Sequence, residues 1–309
     1  MLRAIVVVFT VIAVVGAGFW LLTRPMRLDQ QTLAAMQAHE ADLSNGQTLF
    51  WAGGCASCHA DADAEGEDRR ILSGGAALDT VYGTFGMPNI SPHPDDGIGR
   101  WSLADFANAM LRGISPEGRH YYPAFPYTSY ARMTPGDVAD LWAYLKTLPA
   151  VESDVTARTE LGFPFNIRRG LGLWKRAYLD AGPVIGAAEL GEDAMLLRGR
   201  YLVEGPGHCG ECHTPRDFAG AMRNERWLAG APNPEGDGRI PNITAHEDGV
   251  GDWTEDDIAF GLESGFTPEF DSMGSTMAAV VKNFANVPAA DRAAIAAYLK
   301  AIPAMPDAR

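Results

Sequence analysis

Two short stretches of this chain carry its chemistry. Residues 55–59 read Cys-Ala-Ser-Cys-His, and residues 209–213 read Cys-Gly-Glu-Cys-His. The chain has 4 cysteines, and these stretches use all of them. Cysteine pairs separated by two residues serve three chemistries. A thioredoxin-like dithiol needs a β-α-β setting, and one copy normally suffices. A four-thiolate zinc site spaces its pairs by about 12–20 residues, whereas Cys55 and Cys209 lie 154 positions apart. The third chemistry is covalent haem attachment. Each thiol adds to a haem vinyl group, and the histidine beside the second thiol becomes the proximal iron ligand. Only this chemistry demands histidine at the same offset in both copies. The motifs therefore predict two covalent haem c groups, one on Cys55, Cys58 and His59, the other on Cys209, Cys212 and His213.

The elements that position these motifs also come in pairs. Pro88-Asn89-Ile90 follows the first motif and Pro241-Asn242-Ile243 the second. Each is followed by an Asp-Gly-x-Gly-x-Trp phrase ending at Trp101 or Trp253. Ser102 with Asp105, and Thr254 with Asp257, read as capping boxes that start a helix. Gly113 and Gly265 read as the stops. Each half closes on a helix ending Ala-Tyr-Leu-Lys, and Thr134 and Pro135 read as N-cap and N1 of the first. The chain thus repeats one small helical unit of roughly 100 residues.

The 309 residues, 47% hydrophobic and 21% charged, suit a globular protein of two domains. A net charge of −14 argues against nucleic acid as a partner. Residues 4–22 contain no charge, and as a helix they rise about 28 Å, enough for a bilayer core. A cleaved signal peptide is the alternative, with Gly16-Ala17-Gly18 as a weak cleavage site. The apolar run continues past it through Leu22, so an uncleaved anchor is the expectation. Arg3, Arg24 and Arg27 flank the span and do not decide its orientation. Haem c is attached on the outer side of the bacterial cytoplasmic membrane, so residues 24–309 are expected in the periplasm.

Each half resembles a class I cytochrome c. The pair resembles the cytochrome c subunits of membrane-bound alcohol, gluconate and related periplasmic dehydrogenases. The phrases that carry the resemblance are PNISPHPDDGIGRWS, YYPAFPYTSYARM, LGFPFNIRRGLGLW and MAAVVKN. Two features depart from it: the alcohol dehydrogenase subunits carry three haems, and an N-terminal span of this kind is not general among them. The resemblance implies an all-α fold, two tandem class I cytochrome c domains behind a single transmembrane helix. The expected boundaries are 1–27 for the anchor, 28–149 and 191–309 for the two domains, and 150–190 for the linker. It implies a relay of single electrons from a periplasmic dehydrogenase catalytic subunit to quinone, another cytochrome or a terminal oxidase.

The resemblance also bears on the sixth iron ligands. It implies Met277 for the second haem, 24 residues after Trp253, with Met273 as the near alternative. The same count from Trp101 reaches Phe125, which cannot ligate iron. In the PAFPY variant of the family a methionine stands at the place of Met133, so Met133 is the expected ligand of the first haem. Met110 and Met87 read as packing residues and His120 as a surface histidine. A first haem left open would instead suit an enzyme of thiosulfate or peroxide chemistry, the rival reading. No nucleotide-binding or nucleophile–base motif is evident.

The remaining features read more plainly. Asn89 and Asn242 hold loop backbone. Trp101, Trp253 and the tyrosines of YYPAFPYTSY pack around haem. The acidic stretch 61–70 is a solvated loop. Residues 166–178 are basic and apolar in an acidic chain. They could meet haem propionates, membrane or a catalytic subunit, but a helix packed across both domains, with its charges in solvent, is favoured.

Overall fold

The computed structural model describes residues 1–153, 159–233 and 238–308; the linker positions 154–158 lie outside the described residues. In chain order the first half contains α1 (Leu2–Leu22), α2 (Gln30–Ala38), α3 (Leu43–Ala52), α4 (Cys55–His59), β1 (Ala77–Thr80), β2 (Gly83–Gly86), α5 (Leu103–Arg112), α6 (Tyr127–Tyr130) and α7 (Pro135–Leu145). The connecting segment adds β3 (Glu160–Leu161), α8 (Leu171–Tyr178) and α9 (Ala187–Leu190). The second half contains α10 (Ala194–Glu204), α11 (Gly210–His213), β4 (Ala231–Pro232), β5 (Arg239–Ile240), α12 (Glu255–Ser264), α13 (Met277–Phe284) and α14 (Ala289–Ala301). The fold is helical, as expected. Short antiparallel strands are the addition: β2 pairs with β1 and β3, and β4 pairs with β5.

The punctuation read from sequence is present in the backbone. Ser102 and Thr254 each accept from the amide three residues on, and Asp105 and Asp257 return the bond to the cap amide. Gly113 and Gly265 end these helices in the left-handed region, at φ 58° and 79°, which costs glycine little. Thr134 caps α7, with Pro135 in its first turn. Asp42 and Asp193 cap α3 and α10 through two amides each.

Each half is built on one helix crossing. α3 lies on α7, and α10 lies on α14. A glycine sits at each contact: a Cβ on Gly46 would collide with the Asp140 carbonyl, and one on Gly199 with the Ala294 carbonyl. The absence of a side chain is what lets the two backbones approach. Around these crossings the buried apolar residues form one continuous cluster, from Leu49 and Leu141 in the first half to Leu202 and Ile295 in the second. The repeat extends to single bonds. Lys146 Nζ donates to the Gly99 carbonyl at 2.9 Å, and Lys300 Nζ to that of Gly251 at 2.8 Å.

α1 is 21 residues long and none of them is buried; by length and composition it is apolar enough to cross a membrane. Its C-terminal end docks on the connecting segment. Arg169 and Arg176 donate to the Trp20 and Leu22 carbonyls at 2.8 and 2.6 Å, placing positive charge where the helix dipole is negative. α8 packs across both halves as expected, but its charges are not left in solvent: Lys175 is buried, and Arg176 is bonded to α1. Trp174 Nε1 donates to Ala219 O at 2.9 Å, and Lys175 Nζ to Arg112 O and Gly113 O at 2.7 and 2.6 Å. Burial pushes the Lys175 ammonium down to about 7.

Two readings are corrected. His120 is not a surface histidine: it is 4% exposed, and its Nε2–H donates to the Thr23 carbonyl at 2.9 Å. The polar sequence around it hid this, because the partner is the backbone just past α1, 97 positions away. The stretch 61–70 is not only a solvated loop. Arg69 is 7% exposed and donates to Asn283 Oδ1 at 2.6 Å, and Glu65 pairs with Lys282 at 2.6 Å, both across to the second half.

Replacing Gly199 with alanine forces α10 and α14 apart. A loss of about 1–3 kcal/mol is expected, read as a lower denaturation midpoint of the holoprotein at unchanged slope.

Candidate haem-binding site

In each half the histidine of the motif closes a single turn of helix, α4 or α11. Its ring is then held from a distant loop. His59 Nδ1 lies 2.8 Å from the Pro88 carbonyl, and His213 Nδ1 lies 2.8 Å from the Pro241 carbonyl. A carbonyl can only accept, so each Nδ1 carries the proton and each Nε2 keeps a lone pair. Burial pushes both imidazoles below their ordinary pKa, against the pull of the carbonyls. A neutral ring with its tautomer set by a backbone acceptor is the form that ligates a metal.

The loop that supplies the acceptor is itself pinned. Asn89 accepts from the Ser91 amide and donates to the Val151 carbonyl, each at 2.8 Å. Asn242 does the same with the Thr244 amide at 2.8 Å and the Met305 carbonyl at 2.7 Å. This is the backbone-holding role read from sequence. The proline carbonyls were missed there, although the repeated Pro-Asn-Ile phrase, 29 and 28 residues past the two histidines, was their signal.

The donor set fits haem c. Burial, with the neighbouring Cys58 and Cys212 sulfurs, pushes the Cys55 and Cys209 thiols up to about 12. What makes the fit is the single turn that carries each pair together with its histidine, the arrangement that attachment of haem c by two thioethers and one imidazole uses. Among the described residues no group of three or more His, Cys, Asp or Glu converges on one point, so the two cysteine pairs do not assemble as a four-thiolate site.

The methionines fall as follows. Met133 is 4% exposed and lines a small cavity together with Cys55, Leu49, Met110, Tyr130 and Leu141. The cavity thus brings Met133 to the first motif, but also Met110. Met277 is half-buried and opens α13. Met273 is half-buried, with its methyl against Gly261 beside Trp253. The Met273 amide donates to Gly265 O at 2.7 Å, as the Tyr121 amide does to Gly113 O at 2.7 Å. This backbone register matches Met273 with Tyr121 and Met277 with Phe125, the correspondence counted from the tryptophans. Met87 is half-buried.

The two motifs lie against each other, which the sequence did not announce. The Gly53 carbonyl, two residues before Cys55, accepts from Tyr130 Oη at 3.0 Å and from His208 Nε2–H at 3.2 Å. His208 immediately precedes Cys209, and its ring lies 5.7 Å from that of Tyr130. The third residue of each motif reaches into the other half. Ser57 Oγ accepts from Asn283 Nδ2 of α13 at 2.8 Å. Glu211 accepts from Thr128 Oγ1 and Ser129 Oγ of α6 at 2.5 and 2.9 Å, and from Arg216 at 2.7 Å. The Glu211 side chain is 8% exposed. Burial pushes its carboxyl up, but the Arg216 charge and the two hydroxyls outweigh this and hold it below the usual range. Each motif is thus clasped by the segment of the other half that follows Phe125 or Met277.

With this geometry in view, relatives can be placed beside it. The pattern of the cytochrome c family matches residues 43–149. A diheme cytochrome c-type protein of Cereibacter sphaeroides is 54% identical over 291 residues, 94% of either chain. The fructose dehydrogenase cytochrome subunit of Gluconobacter japonicus is 38% identical over 269 residues, 86% of this chain and 54% of that one. The gluconate 2-dehydrogenase cytochrome c subunit of Pantoea cypripedii is 34% identical over 278 residues, 87% of this chain and 62% of that one. The chain spans little more than half of these last two. Two helical halves, each presenting a neutral histidine beside a cysteine pair, define a c-type cytochrome. This chain belongs to the cytochrome c family, whose chemistry is electron transfer through haem c.

Glu211→Ala removes an acceptor from two hydroxyls and an arginine at the junction of the halves. A loss of about 2–3 kcal/mol is expected from these charge-assisted bonds, measured by guanidinium denaturation. Glu211→Gln, which keeps an acceptor oxygen, recovers part of it.

Proposed function

We propose that this protein is a membrane-anchored dihaem cytochrome c that takes single electrons from a dehydrogenase subunit and passes them on to quinone, another cytochrome or a terminal oxidase. The observation that carries this reading is the bond from His208 to the Gly53 carbonyl, which sets the two motifs side by side. One motif alone would serve a shuttle. Two in direct contact serve a relay. The names of the dehydrogenase cytochrome subunits among its relatives support the donor class.

In this reading Cys55 and Cys58, and Cys209 and Cys212, hold two haems by thioether bonds. His59 and His213 would ligate the irons through their free nitrogens, and Met133 and Met277 would supply the thioether ligands. When bound, haem c supplies an iron that cycles between the ferric and ferrous states. The chain's own residues do the rest. Pro88 and Pro241 keep each imidazole proton on Nδ1. The buried cluster backs each motif on one side through Ala56 and Gly210. The soft thioethers of Met133 and Met277 would favour the reduced state. α1 is the anchor, with residues 24–309 on the periplasmic side. The domains run 28–149 and 191–309, joined by 150–190.

Two measurements test the reading. The pyridine haemochrome of the purified protein should give two haems c per chain, and Cys55→Ala with Cys58→Ala should halve that content. An unchanged content would show that the first motif carries none. Carbon monoxide added to the dithionite-reduced protein should bind at neither haem. One equivalent bound per chain would remove Met133 as a ligand and favour catalysis at an open first haem.

A further inference from the structure

The connecting segment leaves apolar side chains in the open, and they do not serve either motif. Phe163 is 80% exposed, Phe165 47% and Ile167 50%; Val81, on the β1–β2 turn beside them, is 88% exposed. The segment is pinned at Phe165. Tyr82 meets the Phe165 ring at 4.9 Å, Tyr122 Oη donates to the Phe165 carbonyl at 2.7 Å, and Arg168 lies 4.6 Å over the Tyr122 ring. A segment pinned at Phe165 with its neighbouring apolar side chains in the open is a patch that costs solubility unless something covers it.

Their position says what covers them. The same segment grips the end of α1. Arg168 donates to the His120 carbonyl at 2.9 Å, and the His120 ring donates to Thr23 O at 2.9 Å. Arg169 caps Trp20 O and lies 5.3 Å over the Trp20 ring. Gly172 lies against the Thr23 backbone, where a Cβ would collide. The apolar group therefore sits one or two side chains from the point where α1 leaves the body. Residues 166–178 contain no acidic residue, in a chain of net charge −14; Lys175 is buried on the Arg112 and Gly113 carbonyls, so Arg168, Arg169 and Arg176 are the collar's surface charge.

We propose that Phe163, Phe165, Ile167 and Val81 form a seat that inserts into the headgroup region of an anionic lipid surface, with the basic collar of the connecting segment against the phosphates. Aromatic side chains and arginines at the end of an apolar span are the residues that partition to that depth. The seat rests on the reading of α1 as an anchor. It adds a second attachment beside the helix, so the body does not swing on a tether but holds one face to the bilayer. That face carries the connecting segment and the β1–β2 turn; Phe270 of the second half, 85% exposed, is an equally open aromatic side chain outside both.

The test uses the full-length holoprotein in nanodiscs of phosphatidylcholine and phosphatidylglycerol doped with a lipid carrying a diazirine near the headgroup. After photolysis, adducts are mapped by peptide mass spectrometry. The expected result is adducts in α1 and in the peptide spanning residues 163–167, several-fold above those at the Phe270 turn. The variant Phe163→Ser/Phe165→Ser/Ile167→Ser should keep the α1 adducts and lose most of those in its own segment. Adducts in α1 with none at 163–167 would overturn the seat while the anchor stands, leaving the patch to a protein partner. Equal labelling at Phe270 would also overturn it, since the adducts would then report mere exposure. No adducts in α1 would overturn the anchor itself.

Discussion

A histidine that is to hold iron must offer one nitrogen and surrender the other. In this chain the surrendered nitrogen is bound to a proline carbonyl 28 or 29 residues downstream, and much of each half serves that bond. The carbonyl is useful only if its loop cannot move, so an asparagine two-way bond ties the loop to the segment that follows the last helix of its half. The loop keeps its place only if that helix does. The helix in turn is fixed by its crossing over the one that leads into the cysteines, where glycine permits backbone contact. Cap, crossing, loop and ring form one mechanical chain, and it is made twice.

The two copies are then locked to each other through the motifs themselves. Ser57 and Glu211 occupy the same place in their motifs, and each is held by the other half. Gly53 and His208 complete the contact. An arrangement in which each motif depends on the opposite half for support makes the spacing between them a property of the fold and not of a flexible linker. Electron transfer falls steeply with distance, so fixing that spacing is the contribution the protein itself can make to a relay.

Much of this was legible in the sequence because local rules decide it. The motifs, the capping boxes at Ser102 and Thr254, the stops at Gly113 and Gly265, and the repeat itself are all written in a few adjacent residues. What was not legible depends on long-range contact. Nothing near His120 reveals that it is buried against Thr23. Nothing in the acidic stretch 61–70 reveals that Glu65 and Arg69 bind the far half. The clasp on Glu211 joins residues 82 and 83 positions apart, and its donors are ordinary hydroxyls. The first distal ligand was ambiguous in the sequence for a different reason. Phe125 breaks the repeat at the informative position, and the cavity beside Cys55 then gathers Met133 and Met110 together.

The central claim is that electrons cross directly between the two halves within one chain. Flash reduction of a small fraction of the oxidised holoprotein, followed by optical detection of how the electron redistributes, tests it. The account predicts a first-order redistribution whose rate is independent of protein concentration. A redistribution that appears only as a second-order process, its rate rising in proportion to protein concentration, would contradict it.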